Sequence, residues 1–507
     1  MIKDSNTLVN SLIHYAREKL YLSNIDEIHL RNRLLAKFKL EEYFPSDEKV
    51  NKLDELITSI EQIALHEKLV EEGELETFTT AIMDMISPLP SFVQTTFFDL
   101  LRHNSSEEAC RFLFNLQVDN DYIKLSKIKL NLFWKANFPN NYLEITINLS
   151  KPEKDNKVTA KLAREVSSKY PKCILCYENL GYAGRHDSPP RQNIRLVDFK
   201  LGDEDWFMQY SPYQYYEEHV VVIHKKHVNM KIDEQTFIKL CDFVDLFPNY
   251  FVGSNASLPI VGGSILNHEH FQGGKHLMPI FASASKYELR KKGYEDCKIS
   301  YLDWYNSCLK ITSSNRDKII AFASEILTVW NKYRDEEIDL IPYTKEQHNA
   351  ITPIIRKVNH EYQLYIVLRN NRTNEEHPDG IFHAHRPFHN IKKESIGLIE
   401  AMGLFILPGR LKRQFTVIED ILMGKVSQEE AIKLHPDIII HQEMINTLQK
   451  EYGVHNSKQQ IKSILEQYIN NTCRQILECT AIFKNTPMGD QHFRKFLQAV
   501  DLEIIGG

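Results

Sequence analysis

The chain has 507 residues, and its 42% hydrophobic and 26% charged content is that of an ordinary globular protein rather than a disordered one. By the usual size of domains, this length predicts roughly two to four compact units. The formal net charge of −6, with both signs interspersed, offers no basic surface for a phosphate backbone, so we expect no nucleic-acid partner.

The sequence carries no sign of export or of a membrane anchor. Its first residues lack a basic region that leads into an apolar one, and no run of about 18 apolar residues occurs. The eight cysteines are scattered along the chain, which is typical of intracellular thiols rather than of a disulfide framework. We therefore expect a cytoplasmic protein with no membrane partner.

Both ends of the chain carry apolar residues at helical spacing, up to about residue 125 and again from about 414 to 499. Ser105 and Ser427 precede acidic residues at two predicted helix starts, where a side-chain oxygen can cap exposed amides. Neither region contains a catalytic constellation. We expect the N-terminal region to supply scaffold or oligomer contacts, with a homodimer as one such assembly.

A sheet is predicted to begin at residues 143–149, where β-branched and polar residues alternate. A short helix is predicted at residues 161–169, and Cys173 and Cys176 follow it. Two cysteines at this spacing can bind one tetrahedral zinc ion, but a zinc site needs two further ligands. The pair by itself therefore fits a metal site and two buried thiols about equally.

The next segment joins a polar loop to a strand and a helix. Arg191 and Arg195 lie in the loop, where they could hold a nucleotide or simply be solvated. A strand is predicted at residues 219–224, followed by an amphipathic helix at residues 231–246.

Residues 253–274 form the segment around which the chain is organised. In an extended strand, side chains repeat every two residues, so His268, His270 and Gln272 share one face. A neutral imidazole with one nitrogen held by a hydrogen bond can use the other as a nucleophile or metal ligand, and an amide can donate to a charged oxygen. This face suits group transfer, while the alternative is a pair of buried histidines on an ordinary strand.

With its sequence GSNASLPIVGGSILNHEHFQGG, this segment resembles the signature of the galactose-1-phosphate uridylyltransferases, in their longer type 2 branch, within the histidine-triad superfamily. The superfamily pattern is H-x-H-x-H, and these transferases have glutamine in the third place, where this chain has Gln272. The resemblance implies an enzyme that transfers UMP from UDP-glucose to galactose 1-phosphate in galactose catabolism. It also implies His270 as the nucleophile and a covalent uridylyl-histidine intermediate.

The resemblance further implies which side chains surround the catalytic strand. A zinc ion would be structural, and its four ligands would be Cys173, Cys176, His227 and His268. The substrate's phosphates would be bound by Asn255, Ser264 and Gln272.

A second H-x-H motif, His383 and His385, repeats the first one later in the chain and suggests a duplicated half, as in the family. Pro387 stands where a matching glutamine would be, so this half is expected to lack the nucleophile. In the short branch of the family the equivalent histidines bind a second metal with a glutamate. Here a second metal stays unassigned, and a structural role for both histidines is the alternative. Lys392 and Lys393 open a segment that holds substrate in the short branch.

We interpret the chain as α+β, with two histidine-triad-like halves in a mixed or antiparallel sheet with helices, and with helical regions at both termini. The predicted ranges are a helical N-terminal region at 1–130, the nucleophile-bearing half at 131–300, the second half at 301–415 and a helical C-terminal region at 416–507. Residues 287–333 are also predicted to be helical. Two rival functions remain open, namely another nucleotidyltransferase or phosphorylase of the superfamily, and a zinc-stabilised binding protein without activity.

Overall fold

The computed structural model describes residues 4–46, 50, 52–150, 170–185 and 188–506. The helix predicted at residues 161–169 lies outside this part of the chain. The chain divides into two compact units, and each of them is discontinuous in sequence. The first unit contains Met1–Leu130, Pro152–Asn229 and Asn267–Lys275, and the second contains Asn131–Lys151, Met230–Leu266 and His276–Gly507. The four sequence ranges given above stay a prediction.

The α-helices of the described residues are numbered here in chain order. They are α1 (Ser5–Lys19), α2 (Asn24–Lys37), α3 (Leu53–His66), α4 (Leu75–Ile86), α5 (Pro90–His103), α6 (Ser106–Asp119), α7 (Leu125–Ile128), α8 (Glu234–Leu246), α9 (Arg316–Trp330), α10 (Leu398–Ala401), α11 (Arg410–Leu422), α12 (Gln428–Leu434), α13 (Gln442–Tyr452), α14 (Lys458–Thr480) and α15 (Pro487–Ala499). None of these helices is long and apolar enough to cross a membrane.

The strands are numbered in the same way. They are β1 (Leu132–Asn137), β2 (Tyr142–Asn148), β3 (Val197–Leu201), β4 (Glu204–Tyr210), β5 (Val220–His224), β6 (Phe251–Gly253), β7 (His270–Gly274), β8 (Ser285–Arg290), β9 (Lys298–Leu302), β10 (Cys308–Ser313), β11 (Asn349–Val358), β12 (Glu361–Asn370), β13 (Leu404–Pro408) and β14 (Glu503–Gly506).

Local sequence explains where several helices begin. The hydroxyl of Ser105 accepts a hydrogen bond from the amide of Glu108 at the start of α6, and Ser427 caps α12 in the same way. The helix predicted from residue 231 begins three residues later, because Asp233 is its capping residue. Helical spacing also explains packing, since Leu8 and Leu12 lie on one face of α1 and are fully buried.

The first unit places an antiparallel sheet beside its N-terminal helices. The strand order is β3, β4, β5 and β7, and every pair is antiparallel. The middle strands are apolar on both faces, as Trp206, Phe207 and Met208 of β4 are all fully buried. Strand β5, which lies between β4 and β7 and pairs with both, is also largely buried, so β7 lies against a closely packed strand.

The second unit contains two sheets. One is antiparallel in the order β14, β8, β9, β10, β12, β11 and β6, and the other joins β1 and β2 to β13, which runs parallel to β2. Helix α9 covers part of the larger sheet, where the indole of the buried Trp330 donates to the carbonyl of Ala350 at 2.8 Å.

These elements confirm the α+β class, the mixed and antiparallel sheets and the helical regions at both ends. The expectation of helix over residues 287–333 is wrong for its first part. That part forms β8, β9 and β10, and only α9 is helical. The pairing of these short amphipathic strands with one another and with β12 outweighs their local pattern.

Candidate active site and metal centre

The catalytic candidates lie on β7, which pairs with β5. The register places Ile223 opposite His270 and Val221 opposite Gln272. The side chain between them, Phe271, stacks on Trp206 with ring centroids 4.7 Å apart. Because strand side chains alternate, His270 and Gln272 lie on the face opposite to this aromatic stack.

His270 is held in one tautomer by its own strand. Its side chain is buried, and Nδ1 lies 2.8 Å from the carbonyl oxygen of His268. A carbonyl can only accept, so Nδ1 carries the proton and Nε2 keeps a lone pair. Burial also lowers the pKa of His270, which favours the neutral ring. The arrangement therefore provides a neutral nitrogen nucleophile at Nε2.

The amide of Gln272 is oriented by a histidine that sequence reasoning did not select. Nε2 of His219 lies 3.2 Å from Oε1 of Gln272. Burial lowers the pKa of His219 to about 4, so the ring is neutral and Nε2–H can donate to the amide oxygen. That bond fixes Oε1 and leaves the amide N–H groups of Gln272 for another partner.

The ring of His219 is itself fixed by packing. It is 3% exposed, and the ring of Tyr216 lies 4.4 Å from it between centroids. The hydroxyl of Tyr216 donates to the carbonyl of Gly273 on β7 at 3.2 Å. No sequence motif marks His219, and its only signal is a position just before β5, which pairs with β7.

Four side chains from separate parts of the first unit meet as one cluster, which we call the Cys/His cluster; they are Cys173, Cys176, His227 and His268. The two sulfurs are 3.6 Å apart. Nδ1 of His268 lies 3.3 Å from the sulfur of Cys173 and 3.8 Å from that of Cys176, and Nδ1 of His227 lies 3.1 Å from the sulfur of Cys176.

These separations fit a tetrahedral zinc ion. Bond lengths of about 2.3 Å to sulfur and about 2.0 Å to nitrogen place tetrahedral ligands about 3.3 to 3.8 Å from one another. The four observed separations, from 3.1 to 3.8 Å, are close to that range. Nε2 of His268 lies 2.8 Å from the carbonyl oxygen of His224, which leaves Nδ1 as the ligand atom. Burial raises the pKa of the Cys173 thiol to about 12, so a thiolate there requires a cation nearby. The cluster can thus hold a metal ion.

Asn255 and Ser264 belong to the second unit. Asn255 is buried, and its Oδ1 accepts a hydrogen bond from the amide of Leu398 at 2.8 Å. Ser264 lies in an exposed bend. Both residues come from the loop that follows β6.

Arg191 and Arg195, in the polar loop before β3, make contacts with the N-terminal region. Arg195 is 2% exposed and donates to the carboxylate of Asp84 at 2.9 Å and to the carbonyl of Pro88 at 2.7 Å. Arg191 donates to the hydroxyl of Tyr122 at 3.0 Å. These contacts tie the loop to the N-terminal helices, so Arg195 is not the solvated side chain that one interpretation allowed.

The second H-x-H motif does not gather metal ligands among the described residues. Nε2 of His383 accepts the amide N–H of Ile396 at 3.2 Å. Nε2 of His385 lies 3.1 Å from the carbonyl oxygen of Ile381, and its ring stacks on that of His377. Within the described ranges, neither histidine belongs to a group of three potential ligands compact enough for an ion.

Comparison with known proteins gives consistent matches across the chain. The family model described as galactose-1-phosphate uridyl transferase, N-terminal domain, matches residues 22–229, and that for the C-terminal domain matches residues 243–429. The galactose-1-phosphate uridylyltransferase of Caldanaerobacter subterraneus subsp. tengcongensis is 40% identical, with 98% of each chain covered. That of Clostridium acetobutylicum is 39% identical, with 97% of this chain and 99% of the other covered.

Among solved structures, yeast Ap4A phosphorylase Apa2 matches with a TM-score of 0.31 and 10% identity, over 58% of this chain and 88% of the other. The sequence matches then decide the family: this chain belongs to the galactose-1-phosphate uridylyltransferases.

Proposed function

We propose that this protein transfers the uridylyl group of UDP-glucose to galactose 1-phosphate, giving glucose 1-phosphate and UDP-galactose in galactose catabolism. The observation that carries the proposal is the state of His270, a buried neutral imidazole with Nδ1 held by the carbonyl of His268 and Nε2 left as a nucleophile. Membership of the family supports the choice of substrates.

The reaction proceeds by two displacements at one phosphorus. Nε2 of His270 forms a bond to the α-phosphorus of UDP-glucose, and the bond from that phosphorus to the glucose 1-phosphate oxygen breaks with its electron pair. A phosphate oxygen of galactose 1-phosphate then attacks the same phosphorus and releases the nitrogen. Two separate displacements predict ping-pong kinetics.

Gln272 stabilises the phosphoryl oxygens in both steps, since its amide N–H groups are free once His219 fixes Oε1. The leaving groups are sugar phosphates with a second pKa of about 6, so they depart without a proton. A glutamine, which cannot donate a proton to a leaving group, is therefore sufficient in the third place of the motif. Asn255 and Ser264 are proposed to bind the phosphates as well.

A zinc ion bound by the Cys/His cluster is proposed to be structural. Four protein ligands leave no open position for substrate, so the ion contributes stability rather than chemistry. His268 connects the two sites, because its ring belongs to the cluster and its carbonyl holds His270. None of the eight cysteines is joined in a disulfide, which is consistent with the proposed cytoplasmic location. The homodimer stays a prediction.

The proposal is tested by the intact mass of the protein after mixing with UDP-glucose alone. We expect one added UMP per chain, and its loss when galactose 1-phosphate is added. Labelling by an adenylyl donor instead would favour another nucleotidyltransferase or phosphorylase of the superfamily. A protein that no nucleotide substrate labels would favour the binding protein without activity.

Gln272→Ala is expected to slow both half-reactions by about a hundredfold or more, equivalent to roughly 3 kcal/mol of transition-state stabilisation. The two half-reactions should be slowed equally, because the same phosphoryl group passes through the same transition-state geometry in each of them. Rapid-quench measurement of adduct formation and decay follows each step separately. Rates within a factor of about three of the wild type, well below the cost of a lost oxyanion donor, would make Gln272 a packing residue.

His219→Phe is expected to lower the rate of transfer by up to about tenfold, the equivalent of one lost hydrogen bond. Phenylalanine keeps a ring against Tyr216 but cannot donate to Gln272. His219→Gln, which carries a donor at the end of its side chain, serves as the conservative control and should recover part of the rate. In a Gln272→Ala background, His219→Phe should cost nothing more, because both changes remove the same interaction. Additive losses would show that His219 acts independently of Gln272.

A further inference from the structure

Three side chains of the first unit meet on the face of its sheet that is opposite to His270 and Gln272. Glu204 begins β4, His224 ends β5, and Glu269 immediately precedes β7. One potential ligand atom from each of them lies within 4.8 Å of the other two. We call this group the Glu/His site. None of its members belongs to the Cys/His cluster or to the second H-x-H motif.

The pairing of the strands explains why these side chains meet. His224 lies opposite Trp206 of β4, so alternation puts Glu204, two residues before Trp206, on the same face. The amide of His224 donates to the carbonyl of Glu269 at 3.0 Å, which places Glu269 beside His224 across the next pair of strands. Phe271 follows Glu269 on that face and stacks on Trp206. Backbone pairing within one unit therefore builds the site.

The ring of His224 is held in the way that is typical of a metal ligand. The residue is 6% exposed, and its ring packs edge-on against the indole of Trp206, with centroids 5.2 Å apart. Nδ1 lies 3.0 Å from both the carbonyl oxygen and the amide nitrogen of Lys226. A proton on Nδ1 is donated to that carbonyl, and Nε2, which makes no hydrogen bond to a described residue, then keeps its lone pair. Metal-binding histidines are commonly oriented by such a bond from the other ring nitrogen.

The distance between Nε2 and the carboxylate of Glu204 fits a shared ion better than a direct bond. Oε2 of Glu204 lies 3.7 Å from Nε2 of His224, which is too long for a hydrogen bond. Two ligands of one octahedral ion, with bonds of about 2.1 Å, are about 3.0 Å apart when adjacent and about 4.2 Å apart when opposite. The side chain of Glu204 is 44% exposed, so an ion can enter from solvent on that side, while the buried Glu269 closes the other.

A compact group of potential ligands in the second unit is already occupied by its own side chains. Nδ1 of His492 donates to the carboxylate of Asp335 at 2.6 Å, and the ammonium of Lys495 donates to the carboxylate of Glu337 at 2.7 Å. The positive charge of Lys495 thus takes the place that an ion would have beside Glu337. No such contact from a described lysine or arginine reaches the two carboxylates of the Glu/His site at a printed distance.

We propose that Glu204, His224 and Glu269 bind a divalent transition-metal ion, with water in the remaining positions. One imidazole and two carboxylates form a donor set of nitrogen and oxygen, which suits Mn²⁺, Fe²⁺, Co²⁺ or Zn²⁺. The ligands lie on the face opposite to His270, so the ion takes no part in the chemistry at that residue. It joins β4, β5 and the start of β7, and its binding energy contributes to the stability of the sheet.

Titration of the full-length protein with MnCl₂ tests the site, with free and bound Mn²⁺ distinguished by electron paramagnetic resonance. Mn²⁺ is the probe because carboxylate and imidazole ligands accept it, whereas the two thiols of the Cys/His cluster favour zinc. We expect one Mn²⁺ bound per chain, and a melting temperature that rises with the concentration of Mn²⁺. The spin-echo signal of the bound ion should show modulation by a nitrogen nucleus, which reports the imidazole of His224.

Glu204→Gln keeps the size of the side chain but removes a charged ligand, so it should weaken Mn²⁺ binding by about tenfold or more. Because this side chain is partly exposed, we expect the variant to fold. His224→Gln is the second variant, and it should lose the nitrogen modulation as well as affinity. Glu217→Gln removes an exposed carboxylate of the same unit and is the matched control, with Mn²⁺ binding and the shift in melting temperature unchanged.

Three results would overturn the Glu/His site. The first is a wild type that binds no Mn²⁺ at millimolar concentration, which would leave Glu204 and His224 as an ordinary polar pair. The second is equal affinity of Glu204→Gln and the wild type, and the third is nitrogen modulation that persists in His224→Gln. These measurements use neither nucleotide nor sugar, so their outcome does not depend on the proposed function.

Discussion

His270→Gly is expected to abolish uridylyl transfer, by about a thousandfold or more, while the protein remains folded. The nucleophile is lost because Nε2 of His270 is the nitrogen that forms the bond to phosphorus. Glycine adds no bulk beside Ile223, and its conformational cost in a strand is only about 0.5 to 1 kcal/mol. Intact mass after mixing with UDP-glucose, together with steady-state rates, measures the loss.

Imidazole in solution is expected to restore part of the turnover of His270→Gly, because the vacated space can accept a free ring that supplies the same nitrogen. His360→Gly is the matched control. His360 is exposed at a turn with φ +68°, where glycine is favourable, so this variant should keep full activity. A purified His270→Gly protein with normal activity would remove His270 from the reaction.

The shared face of the β7 motif could be predicted from the sequence because it depends only on residues that are neighbours in the chain. His270 and Gln272 are two positions apart on β7, so strand alternation is enough to place them on one face. His268, which was expected on the same face, lies in the bend before the strand, and its ring belongs to the Cys/His cluster. The helix caps at Ser105 and Ser427 could be predicted for the same reason, since each involves an amide three residues away. Such short-range geometry does not depend on the rest of the fold.

Contacts between distant segments could not be predicted from the sequence. His219 meets Gln272 across 53 positions of the chain, only because β5 and β7 are neighbours in the sheet. The short strands β8 and β9 were mistaken for helix, since pairing with other strands, not local preference, decides their structure. No pattern around Glu204 predicts that it lies beside His224, because that contact depends on the pairing of β4 with β5.

Loss of a ligand from the Cys/His cluster is expected to have the second large effect, on metal content and stability. Cys173→Ser is expected to lose about one zinc ion per chain and to lower the free energy of unfolding by several kcal/mol, because metal binding energy contributes directly to folding. The expected loss is large since the four ligands come from segments far apart in sequence, which the ion ties together. Elemental analysis and scanning calorimetry measure metal content and stability on the same sample.

Two comparisons test whether loss of the zinc ion causes the lower stability of Cys173→Ser. Removal of metal from the wild type by a chelator should lower its melting temperature to that of Cys173→Ser, because both proteins then lack the zinc ion. Cys297→Ser alters a half-buried thiol that lies 3.7 Å from a carboxylate oxygen of Asp296 and takes no part in the cluster, so it should keep both metal and stability. If the purified wild type contains no zinc and Cys173→Ser melts at the same temperature as the wild type, the four side chains are ordinary buried groups and not metal ligands. Loss of zinc with an unchanged melting temperature would separate metal binding from folding, and the ion would then no longer explain how His268 is held beside His270.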